Sequence, residues 1–181
     1  MKMLGRLAGF IETLNEHVGR IVSWLALTMV LVTFAVAMLR YGFDVGWVWL
    51  QETYVWMHGA IIMLAMAYTF LHEGHVRVDV YYRDASPRYR AWVNLVGTLC
   101  LLFPMLGVVT WYALPYVGVS WHRLEASREA GGLPGLYLLK STIAVFCLLL
   151  FLQGLAVVIR SLQTLRDKPT NGTASTAKGM Q

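Results

Sequence analysis

The chain has 181 residues, 57% of them hydrophobic and only 14% charged, with a formal net charge of +5. A soluble domain carries about 25% charged and about 45–50% apolar residues, so the composition excludes an ordinary water-soluble fold and points to a membrane protein. The positive surplus does not indicate nucleic acid, because no folded basic face is available to receive it.

The opening segment, MKMLGRLAGFIETLNEHVGR, is basic but lacks the continuous apolar core and small-residue cleavage site of a signal peptide. Leu4, Leu7, Ala8, Ile11, Leu14 and Val18 recur at helical spacing, with Arg6, Glu12 and Glu16 elsewhere around the wheel. This pattern predicts an interfacial amphipathic helix over residues 1–17, ahead of the first span. Four apolar runs follow, roughly 18–39, 47–70, 92–117 and 136–159. Each reaches the ~20 residues a helix needs to cross ~30 Å of hydrocarbon. Backbone groups in lipid must bond within their own segment, so the runs read as helices. The expected fold is an all-α membrane protein with a four-span domain over 18–160 and no internal repeat. Residues 161–181, ending in DKPTNGTASTAKGMQ, are polar and rich in small residues, which predicts a disordered cytoplasmic tail.

Span one closes at Arg40, and the hairpin YGFDVGW leads to Trp47 and Trp49 at the start of span two. Ionisable groups inside a span cost roughly 2.5–3.5 kcal/mol at a helix centre for Arg, Lys or Asp. Glu52 and His58 are the two such groups in span two. The short hairpin brings Arg40 and Glu52 to one end, so an Arg40–Glu52 pair is the economical reading and an ion-coupling carboxylate the sharper one. His58 shares a helical line with Gln51, Ile62 and Ala65, away from Glu52. A haem role would need a second histidine at matching depth, whereas His17, His72, His75 and His122 lie at or outside the interfaces. A hydrogen bond across a helix contact, eased by Gly59 and Ala60, is the expected role of His58.

The stretch LHEGHVRVDVYYRD after span two carries His72 and His75 three apart. Zincin-type metal binding places histidines at i and i+4, so no metal site is expected. The stretch reads as a helix stop at Gly74, then a turn anchored by Arg77 and Asp79 at the inner headgroups of the membrane lipids, which can pair internally or grip a partner subunit. The loop WHRLEASREAGGLPG, between spans three and four, carries Arg123, Glu125, Arg128 and Glu129, a mixed-charge pattern suited to electrostatic docking of a soluble protein. Cys100 and Cys147 sit mid-span as small apolar residues. No nucleophile stands beside a base, so no catalytic site and no cofactor are expected.

Lys2, Arg6, Arg20, Arg77, Arg83, Arg88, Arg90, Arg160, Arg166, Lys168 and Lys178 fall on one side of the spans. Only Arg40, Arg123, Arg128 and Lys140 fall on the other. The positive-inside rule then predicts cytoplasmic termini and a cytoplasmic 71–91 loop.

Several ordered features are similar to one family. They are Arg40-Tyr41-Gly42-Phe43, the Trp-containing approach to Glu52, Gly59-Ala60 and Ala67-Tyr68. After them come Gly74-His75-Val76-Arg77-Val78-Asp79, then Ser127 and Leu133-Pro134. Together they resemble the small membrane subunits of TRAP transporters (tripartite ATP-independent periplasmic transporters), over roughly residues 18–160. Where that family often has an Ile-Pro-Val-Gly-like stretch in span four, this chain reads Ile143-Ala144-Val145-Phe146. The resemblance implies a sodium-driven importer of organic acids or related solutes in the bacterial inner membrane. It implies as partners a large membrane subunit, which carries the solute and sodium sites, and a periplasmic solute-binding protein. The small subunit would be the scaffold and part of the docking platform. Two other classes stay open from the residues alone, a self-sufficient homodimeric ion-coupled transporter and a cofactor-bearing membrane anchor.

Overall fold

The computed structural model describes residues 2–74 and 85–166. Its elements are α1 (Lys2–Phe43), α2 (Val48–Leu71), α3 (Pro87–Gly97), a π-helical turn (Thr98–Leu102), α4 (Phe103–His122) and α5 (Leu136–Arg166). Four stretches are long and apolar enough to cross a membrane, namely Met3–Phe43, Val48–Leu71, Pro87–His122 and Leu136–Arg166. The four-span expectation holds.

The boundaries differ at both ends of the chain. The 1–17 segment is not a separate helix: α1 runs unbroken from Lys2 to Phe43, about 63 Å at ~1.5 Å per residue. Of its expected apolar face, Ala8 and Ile11 are buried against Ala156 and Ile159 of α5. Leu4, Leu7 and Leu14 stay exposed. Packing along α5 therefore continues the helix where a lone segment would have turned into the interface. At the far end α5 reaches Arg166, so the first residues assigned to the tail, 161–166, are helical.

The third span is one run with a defect in it. Ser86 caps its start, its hydroxyl accepting the Tyr89 N–H at 3.3 Å, with Pro87 in the first turn. Pro104 has no N–H to return to the preceding turn. The chain widens just before it, and Phe103 N–H bonds to Thr98 O, five residues back. The wide turn lies on Gly154 of α5, where a β-carbon would stand 2.8 Å from Phe103 Cε1.

Helices α1, α2 and α4 are each followed by a non-glycine residue in the left-handed region: Asp44 (φ 54°), Glu73 (φ 52°) and Leu124 (φ 45°). After α2, Glu73 N–H bonds to Phe70 O at 3.3 Å and Gly74 N–H to Thr69 O at 2.8 Å. After α4, Leu124 N–H bonds to Trp121 O at 3.2 Å and Glu125 N–H to Ser120 O at 3.1 Å. Both are the double closure that satisfies the last helical carbonyls. The helix stop expected at Gly74 thus falls on Glu73, and Gly74 supplies the closing N–H.

α5 is the axis of the bundle. Ala67 of α2, Leu106 of α4, and Cys147, Leu149 and Leu150 of α5 form the central core. α1, α2, α3, the π turn and α4 all approach α5 closely, and among the described residues the only other close backbone approach between different spans is α1 with α2. A groove of about 730 Å³ separates α2 from the third span, lined by Phe70, Asn94, Thr98, Gln153 and the Glu12–Arg160 pair. The connections 44–47 and 123–135 mark one end of the bundle, here the hairpin end. The start of α1 and the end of α5 mark the terminal end.

Candidate functional site

At the hairpin end Glu52 occupies the second turn of α2, on the same line as Gly59, whose β-carbon position faces Leu139 of α5 at 3.6 Å. That face looks toward the α4–α5 connection. The Glu52 carboxylate accepts the Leu133 N–H at 2.6 Å and, through a short bond, the Ser127 hydroxyl. The Ser127 hydroxyl in turn accepts the Glu129 N–H at 3.1 Å. Ser127 N–H bonds to Leu133 O, and Gly132 N–H to Glu129 O, both at 3.0 Å. The connection folds over one carboxylate. Gly132 is required there, since a β-carbon would stand 2.6 Å from Glu52 Oε2 and from Ser127 Oγ. Gly131 (φ 77°) and Gly135 (φ 97°) supply turns that other residues rarely adopt.

The expected Arg40–Glu52 pair is not formed. Arg40 is exposed in the last turn of α1, and among the described residues no ion pair joins it to Glu52. The hairpin brings the two helix ends together, but Glu52 points to the α5 side of α2, so the loop satisfies the carboxylate instead. Arg128 and Glu129 are exposed on the same loop.

The other half of the connection is fixed by groups that sequence reading missed. Glu125 makes a short ion pair with Lys140 in the first turns of α5 and accepts the Ser120 hydroxyl at 2.7 Å. The Lys140 ammonium, followed by the Ser120 hydroxyl, holds the Glu125 carboxyl below its usual range, and Arg128 adds to this. The Lys140 ammonium also lies 4.1 Å from the centre of the Tyr116 ring. Trp121 packs on Tyr137 with ring centres 4.6 Å apart and donates its indole N–H to Ser141 Oγ at 2.7 Å.

The terminal end carries a second set of ties. Arg160 grips Glu12 through two bonds, 2.9 and 2.7 Å. Asn15 donates to Gln153 Oε1 at 2.7 Å, both side chains being buried. His72 Nε2 donates to Glu16 at 2.7 Å, and Glu16 also accepts from Arg20 at 3.2 Å. His72 is therefore hydrogen-bonded to α1, and no group of three metal-ligating side chains occurs among the described residues. Tyr68 packs at a tilt against His72 and fills the space over Gly19, where a β-carbon would lie 2.2 Å from its ring. His75, Arg77 and Asp79 lie outside the described residues.

His58 departs from its expected place as well. Gly59 faces α5, but His58, about 100° further around α2, is exposed, and no hydrogen bond from it to another helix occurs among the described residues.

Glu52, Ser127 and Leu133, far apart in the chain, thus meet at one latch. Over residues 29–164 the chain matches the family described as "Tripartite ATP-independent periplasmic transporters, DctQ component". The chain belongs to this family. It is a small membrane subunit of a TRAP transporter, a multi-pass inner-membrane protein of a transporter family. Among curated proteins and among solved structures, nothing matches the chain. The TRAP match takes in the Glu52 latch, the Glu125–Lys140 pair and His58. Glu12, Asn15 and Glu16, which tie α1 to α2 and α5, lie ahead of it.

Proposed function

We propose that this TRAP small subunit works as a rigid scaffold for the large membrane subunit of a sodium-coupled importer of organic acids or related solutes. Its hairpin end would be a shaped platform for the periplasmic solute-binding protein. The observation that carries this reading is the Glu52 latch. A carboxylate in a membrane-spanning helix is expensive, and here its bonds go to holding a loop in one conformation. An ion-coupling carboxylate has to release its partners in the transport cycle, whereas this one is tied to a backbone N–H and a hydroxyl of a closed loop. The pairs Glu12–Arg160, Glu16–His72 and Glu125–Lys140 serve the same end, joining elements of the bundle to one another. The lysine and arginine distribution supports termini in the cytoplasm and the hairpin end in the periplasm. Exposed Arg128 and Glu129 would then face the binding protein. Arg77 and Asp79 would serve the large subunit and the inner headgroups.

Reconstitution in proteoliposomes with the large subunit and the binding protein tests this. Glu52→Ala leaves the Leu133 N–H and Ser127 hydroxyl unpaired, a cost of about 1–3 kcal/mol. Solute uptake should fall at limiting binding protein and recover as the binding protein is raised, with the large subunit still copurifying. Uptake by the small subunit alone, abolished by Glu52→Ala, would instead establish a self-sufficient transporter and sink the scaffold reading.

A further inference from the structure

We infer that the α2 face around His58 is the surface the small subunit lays against the large membrane subunit, with the imidazole hydrogen-bonded to a polar side chain of that subunit near mid-membrane. The inference rests on the scaffold reading and names the surface that reading requires.

His58 stands about 15 Å from the start of α2 and about 20 Å from its end at ~1.5 Å per residue, close to the middle of the span. Its neighbours on the exposed face are Val55 and Ile62, 55% and 46% exposed. Both flanks of that face are already taken. Tyr68 packs over Gly19 on the α1 side, and Gly59 lies against Leu139 on the α5 side. Nothing in the described chain crosses the strip between them.

Lipid chains cannot cover this strip at equilibrium cost. A neutral imidazole has one donor and one acceptor, and hydrocarbon satisfies neither. Ionisable groups at this depth face other protein or a water-filled cavity, and Val55 and Ile62 make no such cavity. A second copy of the chain is a poor cover too. A two-fold contact centred on His58 would set imidazole against imidazole and form one bond, leaving one donor and one acceptor facing apolar side chains. A non-identical membrane partner can bring its own polar side chain to this depth, and the large membrane subunit that the family implies is such a partner.

The test is made on the small subunit co-expressed with its large subunit. A photo-crosslinking benzoylphenylalanine at Ile62, and separately at Val55, should give an adduct of small plus large subunit. His58→Leu should reduce the large subunit recovered with the tagged small subunit by about three- to thirtyfold in affinity. His58→Gln, which keeps a donor and an acceptor, should restore most of it. Adducts with a second small subunit alone, or with lipid alone, would overturn the assignment, and so would unchanged recovery with His58→Leu. If the wild-type subunits copurify but neither position crosslinks to the large subunit, this surface is wrong and the scaffold reading stands. If the wild-type subunits do not copurify at all, the scaffold reading itself fails.

Discussion

Asn15 and Gln153 show what a single polar contact does in this bundle. They meet at 2.7 Å at 1% and 2% exposure, and Asn15 Oδ1 has no bonding partner. A half-satisfied buried amide stabilises little, yet removing one member strands the other. Asn15→Leu and Gln153→Met should each cost about 1–3 kcal/mol, and the double variant should cost less than either. Thermal midpoints of the purified subunit check the cycle, and strictly additive losses would show that the two side chains do not act as a pair. The residues of the Glu52 latch were legible in the sequence, but their meeting was not. Ser127 and Leu133 lie 75 and 81 positions from Glu52, while Arg40 lies just across a hairpin. Chain proximity favoured the arginine, and the face on which Glu52 sits decided for the loop. His58 was legible as an anomaly, and its outward direction depends on which flanks of α2 the neighbours occupy.

At the scale of elements, hydropathy located all four spans because length and apolarity suffice for that, and it missed what happens at their edges. α1 continues through a region whose pattern suited an interfacial helix, because α5 receives Ala8 and Ile11. The π turn follows from Pro104 and could have been suspected from that residue. The α4–α5 connection supports two predictions. Gly132→Ala forces a β-carbon into the Glu52 latch and should cost about 1–3 kcal/mol by overpacking, seen as faster proteolysis within 123–135 by a protease added from the hairpin side. The second concerns acid. The Glu125 carboxyl titrates below its usual value because the Lys140 ammonium is beside it. Its stabilising effect is complete above the ordinary carboxylate pKa, about 4.3, and fades as pH falls from there through the lower native value. Between pH 7 and pH 3, Glu125→Gln should flatten the decline of the thermal midpoint, and an unchanged decline would assign it to other carboxylates.

For the molecule as a whole, the arrangement around α5 was the least legible feature. Periodicity tells which face of a helix is apolar and is silent on which neighbour receives it. Among the described residues α1–α2 is the only close backbone approach between spans that omits α5, so a helix made after the other three is the one that joins them. The first two spans can pair as a hairpin as they are made, whereas among the described residues the backbone of the third comes close only to α5. Helices that enter the membrane one by one can wait there as separate, already hydrogen-bonded units, and here α5 ends the wait. Cysteines at Ala8 and Ala156, both at 0% exposure in one cluster, report the event. The disulfide should form in the full chain and should be absent from chains stalled before α5 has emerged, in which span three should exchange freely with span three of other molecules. A stop codon ahead of Leu136 should therefore release three helices that lack their common neighbour.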